Sequence, residues 1–236
     1  EGLGRLGRTQ GDLRELIGTI RSAGYPHLLR IWNYLPDING GEGDDERYRR
    51  FCVGRSQALT ELGLEDARMC AATAIGTRDG EFRLFAIAGR APGQSVENPR
   101  QVSAWKYPSL YGPKSPAFAR ATAVTLADDR IALLISGTAS VVGHATAHPG
   151  DVIAQTDEAV SNLAALLAAA SSDLDRPGLA RFGDEAAARV YVRYPEDWPA
   201  VHARLRQHWP TLPLAGFHGD ICRRDLLMEI EAWHCA

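Results

Sequence analysis

Leu13, Leu16, Ile17 and Ile20 recur at helical spacing, so residues 12–23 read as an amphipathic helix that Gly24 stops. The preceding residues 1–10 are rich in Gly and Arg and read as a frayed edge. His27 to Leu35, with its aromatic and β-branched residues, predicts a strand closed by Pro36 and a polar, Gly-rich loop. Helical periodicity resumes over 46–62. Cys70 to Gly76 and Phe82 to Gly89 predict two short strands, and the Asp79-Gly80 pair between them signals a hairpin. Farther on, the pattern predicts strands at 131–136, 188–194, 212–218 and 226–233, with helices at 149–171 and 198–208.

Each half thus alternates β and α in the same rough order, which predicts an α/β protein of mixed β-sheets with helices packed on one face. The repetition suggests a pseudo-duplication of two units, 1–120 and 121–236. Residues 90–120 break the rhythm with five prolines and no period, as binding loops do.

The 236 residues are 45% hydrophobic, enough for one substantial core or two fused ones. A net charge of -3 leaves no basic field for a polyanion, so nucleic acid is not an expected partner and a small ligand is. Cys52, Cys70, Cys222 and Cys235 are scattered, which points to neither disulfides nor a metal site and suggests a reducing cytoplasm. The longest apolar run, near 163–170, falls far short of the roughly 20 residues that span a bilayer, and no membrane association is expected. His144 and His148 have i, i+4 spacing, but Pro149-Gly150 follows and no third ligand is apparent, so they read as loop residues lining a cleft.

Period-2 alternation over 227–231 puts Glu229 and Glu231 on one face, opposite Met228 and Ile230. On pattern alone they could equally be solvated edge carboxylates or an acid facing a cleft. Arg55 would ordinarily be solvated, and Tyr107 and Tyr111 could be packing aromatics. Cys222, beside Arg223 and Arg224, invites a thiolate reading, yet a lone Cys in a strand is usually a small buried hydrophobe.

Three segments resemble the RidA/YjgF fold in the right order: Ser136-Gly137-Thr138 ending a strand, Asp151 to Thr156 opening a long helix, and Leu227 to Ala232 as a final strand. Three others, Arg30 to Pro36 (RIWNYLP), Phe51 to Arg55 (FCVGR) and Tyr107 to Arg120 (YPSLYGPKSPAFAR), resemble chorismatases, a family built on RidA-like units. The resemblance extends over nearly the whole chain from Tyr25. Chorismatases carry a longer N-terminal segment, so the chain reads as a compact member or as one that lacks a piece.

This resemblance implies a cofactor-independent and metal-independent enzyme that cleaves the enolpyruvyl ether of chorismate and releases pyruvate. It marks Glu229 as the acid that protonates the terminal methylene, general acid catalysis being worth about 10²–10⁴-fold. It also marks Arg55 and Arg120 as the groups that bind the two carboxylates, with the hydroxyls of Tyr107 and Tyr111 placed to bind a carboxylate or the ring hydroxyl. Cys222 and Ala139 fall at positions that separate product types. Cys222 looks like the type that yields 3-hydroxybenzoate, and Ala139 like the type that yields a dihydroxycyclohexadiene carboxylate; 4-hydroxybenzoate is a further alternative.

Two rival readings stand beside it. A RidA-like imine deaminase would need an arginine fifteen residues before Glu229, where Leu214 stands. A non-catalytic binding module would have no reason to keep Arg55, Arg120 and Glu229 together. RidA-like proteins form trimers, but a duplicated chain can satisfy part of that contact internally, which favours a monomer.

Overall fold

The computed structural model describes residues 2–64, 69–78 and 80–236. The chain opens with α1 (Gly2–Ser22), β1 (His27–Pro36), α2 (Arg47–Glu61), β2 (Ala71–Thr77) and β3 (Arg83–Gly89). Then come β4 (Gln94–Val96), β5 (Ala121–Thr125), β6 (Ile131–Ala139), β7 (Val141–Val142), β8 (Ala145–Thr146) and α3 (Val152–Asp173). The chain closes with β9 (Ala186–Val192), α4 (Trp198–His208), β10 (Leu214–His218) and β11 (Met228–Cys235). No described helix is long and apolar enough to cross a membrane.

The elements form an α/β architecture with two principal mixed sheets. In the smaller, ordered β2-β1-β3, β1 runs parallel to β2 and antiparallel to β3. In the larger, ordered β10-β9-β11-β6-β5-β4, β9 runs parallel to β10 and antiparallel to β11. A helix carries each parallel crossover, α2 between β1 and β2 and α4 between β9 and β10. The order helix, strand, helix, strand, strand therefore occurs twice, in α1-β1-α2-β2-β3 and in α3-β9-α4-β10-β11, with the same pairing each time. The chain passes from one sheet to the other between Gly89 and Gln94, so β4 pairs with β5 in the larger sheet.

The hairpin expected from Asp79-Gly80 is overturned. β2 and β3 both pair with β1, which lies between them, and Asp79 is outside the described residues. A crossover through α2 delivers β2 to the far side of β1, where a local turn signal has no say. The expected frayed edge also gives way, since α1 runs from Gly2; Glu1 is outside the described residues. It ends where expected, with Gly24 at φ 87°, a conformation glycine adopts without strain.

Leu163, Leu166 and Leu167 of α3 and Val201 and Leu205 of α4 pack on Leu133, Ile135, Val190 and Ile230 of the larger sheet. Ile17 and Leu59 join α1 to α2, and Phe51 and Cys52 of α2 pack on Leu35. The side of each sheet turned away from these helices faces the other sheet. There β2 is met by isolated backbone bridges at Ala119 and Asp220 and by side chains: the amides of Ala71 and Ala72 donate to Thr122 Oγ1 (2.7 Å) and Ser136 Oγ (2.9 Å). Gly137 N donates to Thr73 Oγ1 in turn (3.0 Å). This seam, sewn by hydroxyls, ends at a cleft.

Candidate active site

α3 begins at Asp151, whose carboxylate accepts from the amides of Ile153 and Ala154 as an N-cap. In the first turn, Gln155 donates to Asp225 O (2.8 Å) and accepts from Leu227 N (2.8 Å), fixing the chain just ahead of β11. Arg193 holds the preceding loop by donating to the carbonyls of Ile221, Arg223 and Leu226 and to Asp220. Gln155 falls in the Asp151–Thr156 segment but nothing in the sequence marks its role, and Arg193 does not stand out at all, because the partners named here lie 27 to 72 positions away.

β11 then delivers two buried carboxyls to very different surroundings. Glu231 accepts from Arg30 (2.8 Å), Trp32 Nε1 (2.9 Å), Arg189 (3.2 Å) and the Tyr191 hydroxyl (3.2 Å). Arg30 and Trp32 belong to the RIWNYLP segment, which thus braces one of the two acids. Glu229 is 5% exposed and sits beside Gly137 of β6, where a Cβ would come within 2.0 Å of Glu229 Oε1. Only glycine leaves room for this carboxyl. Of Ser136-Gly137-Thr138 only Gly137 lines the cleft, and the three residues stand at the end of β6, one short of its last residue Ala139.

Burial pushes the Glu229 pKa up to about 8, with the charge of Glu231 adding to it and Arg30 and Arg120 opposing. A pKa raised this far favours the protonated carboxyl at neutral pH, the form a general acid needs. The solvated-edge alternative for both carboxylates is excluded, since neither is exposed.

Glu229 stands where two lobes of the cleft meet. The larger, about 330 Å³, is lined by Tyr107, Tyr111, Arg120, Ala139, Cys222 and Arg223. The smaller, about 40 Å³, is lined by Asn33, Arg55, Thr73, Gly137, Cys222 and Glu229. All seven residues that the resemblance marks thus reach one cleft. Arg55 is 3% exposed within α2, not solvated; its Nε donates to Ala117 O (3.1 Å), while Nη1 is buried without a partner. Arg120 donates to Val102 O and to the Tyr107 hydroxyl, both 2.9 Å, and leaves its Nε unpartnered.

Sequence reasoning passed over Arg223 as a ligand group. Its guanidinium lies 4.0 Å from the Tyr111 ring centroid and 5.2 Å from that of Tyr107, and donates to His144 O (2.9 Å). Its position in a loop, after a cysteine, gives no periodic signal. Cys222 also lies in that loop rather than in a strand. Burial, followed by the nearby Glu229, pushes its thiol up to about 12, so it is a neutral pocket wall and not a thiolate. His144 contacts the Tyr111 hydroxyl (3.2 Å) at the cleft, whereas His148 turns to Glu158 (3.3 Å).

Fold and site define a class: two mixed α/β sheets that meet at a cleft, with buried arginine donors and one buried carboxyl on its lining. Residues 6–88 match the family model described as chorismatase FkbO/Hyg5-like, N-terminal. A chorismatase of Streptomyces rapamycinicus is 43% identical over 225 residues, covering 92% of this chain and 66% of that protein. A 3-hydroxybenzoate synthase of Streptomyces hygroscopicus is 41% identical over 217 residues, covering 88% of this chain and 63% of the relative. A chorismatase crystal structure at 1.08 Å resolution superimposes with a TM-score of 0.86 at 39% identity, covering 96% of this chain and 70% of that one. The chain belongs to the chorismatase family, and it spans about two thirds of the length of these relatives.

Proposed function

We propose that this protein cleaves the enolpyruvyl ether of chorismate, releasing pyruvate and, as the preferred second product, 3-hydroxybenzoate. The observation that carries the reading is the Glu229 carboxyl, buried at the junction of the two lobes, where desolvation pushes its pKa up to about 8. Both proposed units, residues 1–120 and 121–236, contribute: Arg55, Tyr107, Tyr111 and Arg120 come from the first, Ala139, Cys222 and Glu229 from the second.

Chorismate brings two carboxylates, and the cleft holds buried guanidinium donors without partners on Arg55 and Arg120. Such charge-assisted bonds stabilise binding by about 1.5–3 kcal/mol each. With the substrate so held, Glu229 transfers its proton to the terminal methylene carbon, and the side chain becomes an oxocarbenium ion. The ether bond to the ring then breaks with its electron pair going to the departing side chain, which leaves as pyruvate.

If the neighbouring ring hydroxyl loses its proton and its oxygen forms the new bond at that ring carbon, an epoxide results; its bond to the original carbon then breaks, and loss of the ring hydrogen from the newly substituted carbon gives 3-hydroxybenzoate. The atoms of chorismate then equal those of the two products, and no water is consumed. The dihydroxycyclohexadiene carboxylate needs one water. The likeness to a 3-hydroxybenzoate synthase favours the first outcome, as does Cys222 in the cleft, whereas Ala139, which lines the larger lobe, favours the water route.

The test is to incubate the protein with chorismate, couple pyruvate to lactate dehydrogenase, and identify the ring product by chromatography with mass detection. Pyruvate with 3-hydroxybenzoate supports the full reading, and pyruvate with the diene diol keeps the activity and reverses the product. Absence of pyruvate refutes the activity, and near-normal turnover by Glu229→Gln refutes the assignment of the acid.

A further inference from the structure

The RIWNYLP segment holds one side chain that neither the bracing of Glu231 nor the proposed acid step uses. Asn33 is 2% exposed and lines the smaller lobe together with Glu229 and Arg55. Its Nδ2 donates to the backbone carbonyl of Thr73 at 2.9 Å, which fixes the amide orientation because a carbonyl can only accept. Its Oδ1 is therefore the free end, and it is buried with no hydrogen-bond partner. A buried acceptor left unpaired costs about 1–3 kcal/mol.

Thr73 is held as firmly. Its Oγ1 accepts from Arg30 Nη2 (2.5 Å) and from Gly137 N (3.0 Å), which hold the oxygen in place, and no hydrogen bond from it reaches Asn33 Oδ1. Arg30 is in turn tied to Glu231. The Asn33 acceptor thus sits on a rigid frame within the lobe that contains the proton donor.

An acceptor-only atom beside Glu229 selects for a ligand donor. At about 40 Å³ the smaller lobe admits a substituent and not a ring. A carboxylate would repel Asn33 Oδ1, and an ether oxygen has no hydrogen to give. In the dianion of chorismate the ring hydroxyl is the one hydrogen-bond donor. We infer that Asn33 is a specificity-determining residue whose Oδ1 accepts the hydrogen bond of the substrate's ring hydroxyl. This inference rests on the chorismate reading. A hydroxyl that donates to Asn33 keeps its oxygen lone pairs free toward the neighbouring ring carbon, the orientation that internal displacement requires.

The experiment compares two ligands. One is chorismate; the other is its dehydrated analogue 3-[(1-carboxyvinyl)oxy]benzoate, which keeps both carboxylates and the enol ether but has lost the ring hydroxyl. Dissociation constants are measured by calorimetry on Glu229→Gln protein, which lacks the proposed proton donor, with Asn33 intact and with Asn33→Ala. With Asn33 intact, chorismate binds about tenfold tighter than the analogue. Asn33→Ala weakens chorismate about tenfold and changes the analogue by less than about twofold.

Equal weakening of both ligands, or of neither, overturns the inference while the chorismate reading stands. Failure of both ligands to bind with Asn33 intact overturns both. Should Asn33→Ala not fold, the comparison of the two ligands on the Asn33 protein decides alone: equal affinity refutes the role.

Discussion

Glu229→Gln should stabilise this protein, and the gain should grow as the pH rises. In the native state burial, with Glu231 in support, lifts the Glu229 pKa from 4.5 to about 8. The folded protein therefore binds this proton more tightly than the unfolded chain does. The associated stability is fully present below pH 4.5 and is lost as pH climbs toward 8, where the buried carboxyl is forced to ionise. The full interval corresponds to about 5 kcal/mol as an upper bound. If relaxation and water entry leave half of it, about 2 kcal/mol remains, or roughly 4–8 °C in Tm for a chain of this size. The glutamine side chain has the shape of the protonated acid and no titration, so the variant lacks this loss. Thermal unfolding of both proteins between about pH 5 and pH 9 measures the difference directly, and the seven histidines common to both cancel from it. The Tm advantage of the Glu229→Gln protein should be near zero at the acid end, rise through neutrality and level off above about pH 8. A difference that is flat with pH would show that the folded protein does not hold this proton more tightly than the unfolded chain, and the general-acid assignment would fall with it.

Gly137→Ala should lower kcat/KM for pyruvate release at least about 10²-fold, because its methyl group displaces the carboxyl it would touch at 2.0 Å; an unchanged rate would mean that Glu229 acts from elsewhere. Glu231→Gln removes the like charge that helps hold the Glu229 proton, so the alkaline limb of the pH–rate profile should move to lower pH. Chemical denaturation of the same variant should show a loss of about 3–5 kcal/mol, since Arg30 loses its buried partner at 2.8 Å. Asp151→Ala should cost about 1 kcal/mol in urea unfolding by uncapping α3, with kcat little changed, since Gln155 retains its own grip on residues 225–227. A tenfold fall in kcat there would mean that the cap, and not Gln155, orients β11.

The sequence carried those parts of this molecule whose signal is local. Period places α4 at Trp198–His208 and gives α3, expected over 149–171 and found at Val152–Asp173, because each depends on residues within a few positions. β5, the run Ala121–Thr125, alternates alanine with threonine or valine and has no strong apolar pattern to announce it; it is a strand because β4 and β6 flank it. The failed hairpin has the same cause in reverse, a sound turn signal overruled by a crossover. The candidate site divides along this line as well. Alternation puts Glu229 and Glu231 on one face and stops there, leaving two equivalent acids. What separates them is Arg30 and Trp32, some 200 positions away in sequence, which bond to Glu231 and not to Glu229. One carboxyl is thus surrounded by donors and the other left with burial and a neighbouring charge, and that asymmetry, written at the opposite end of the chain, decides which of the two can keep a proton to give.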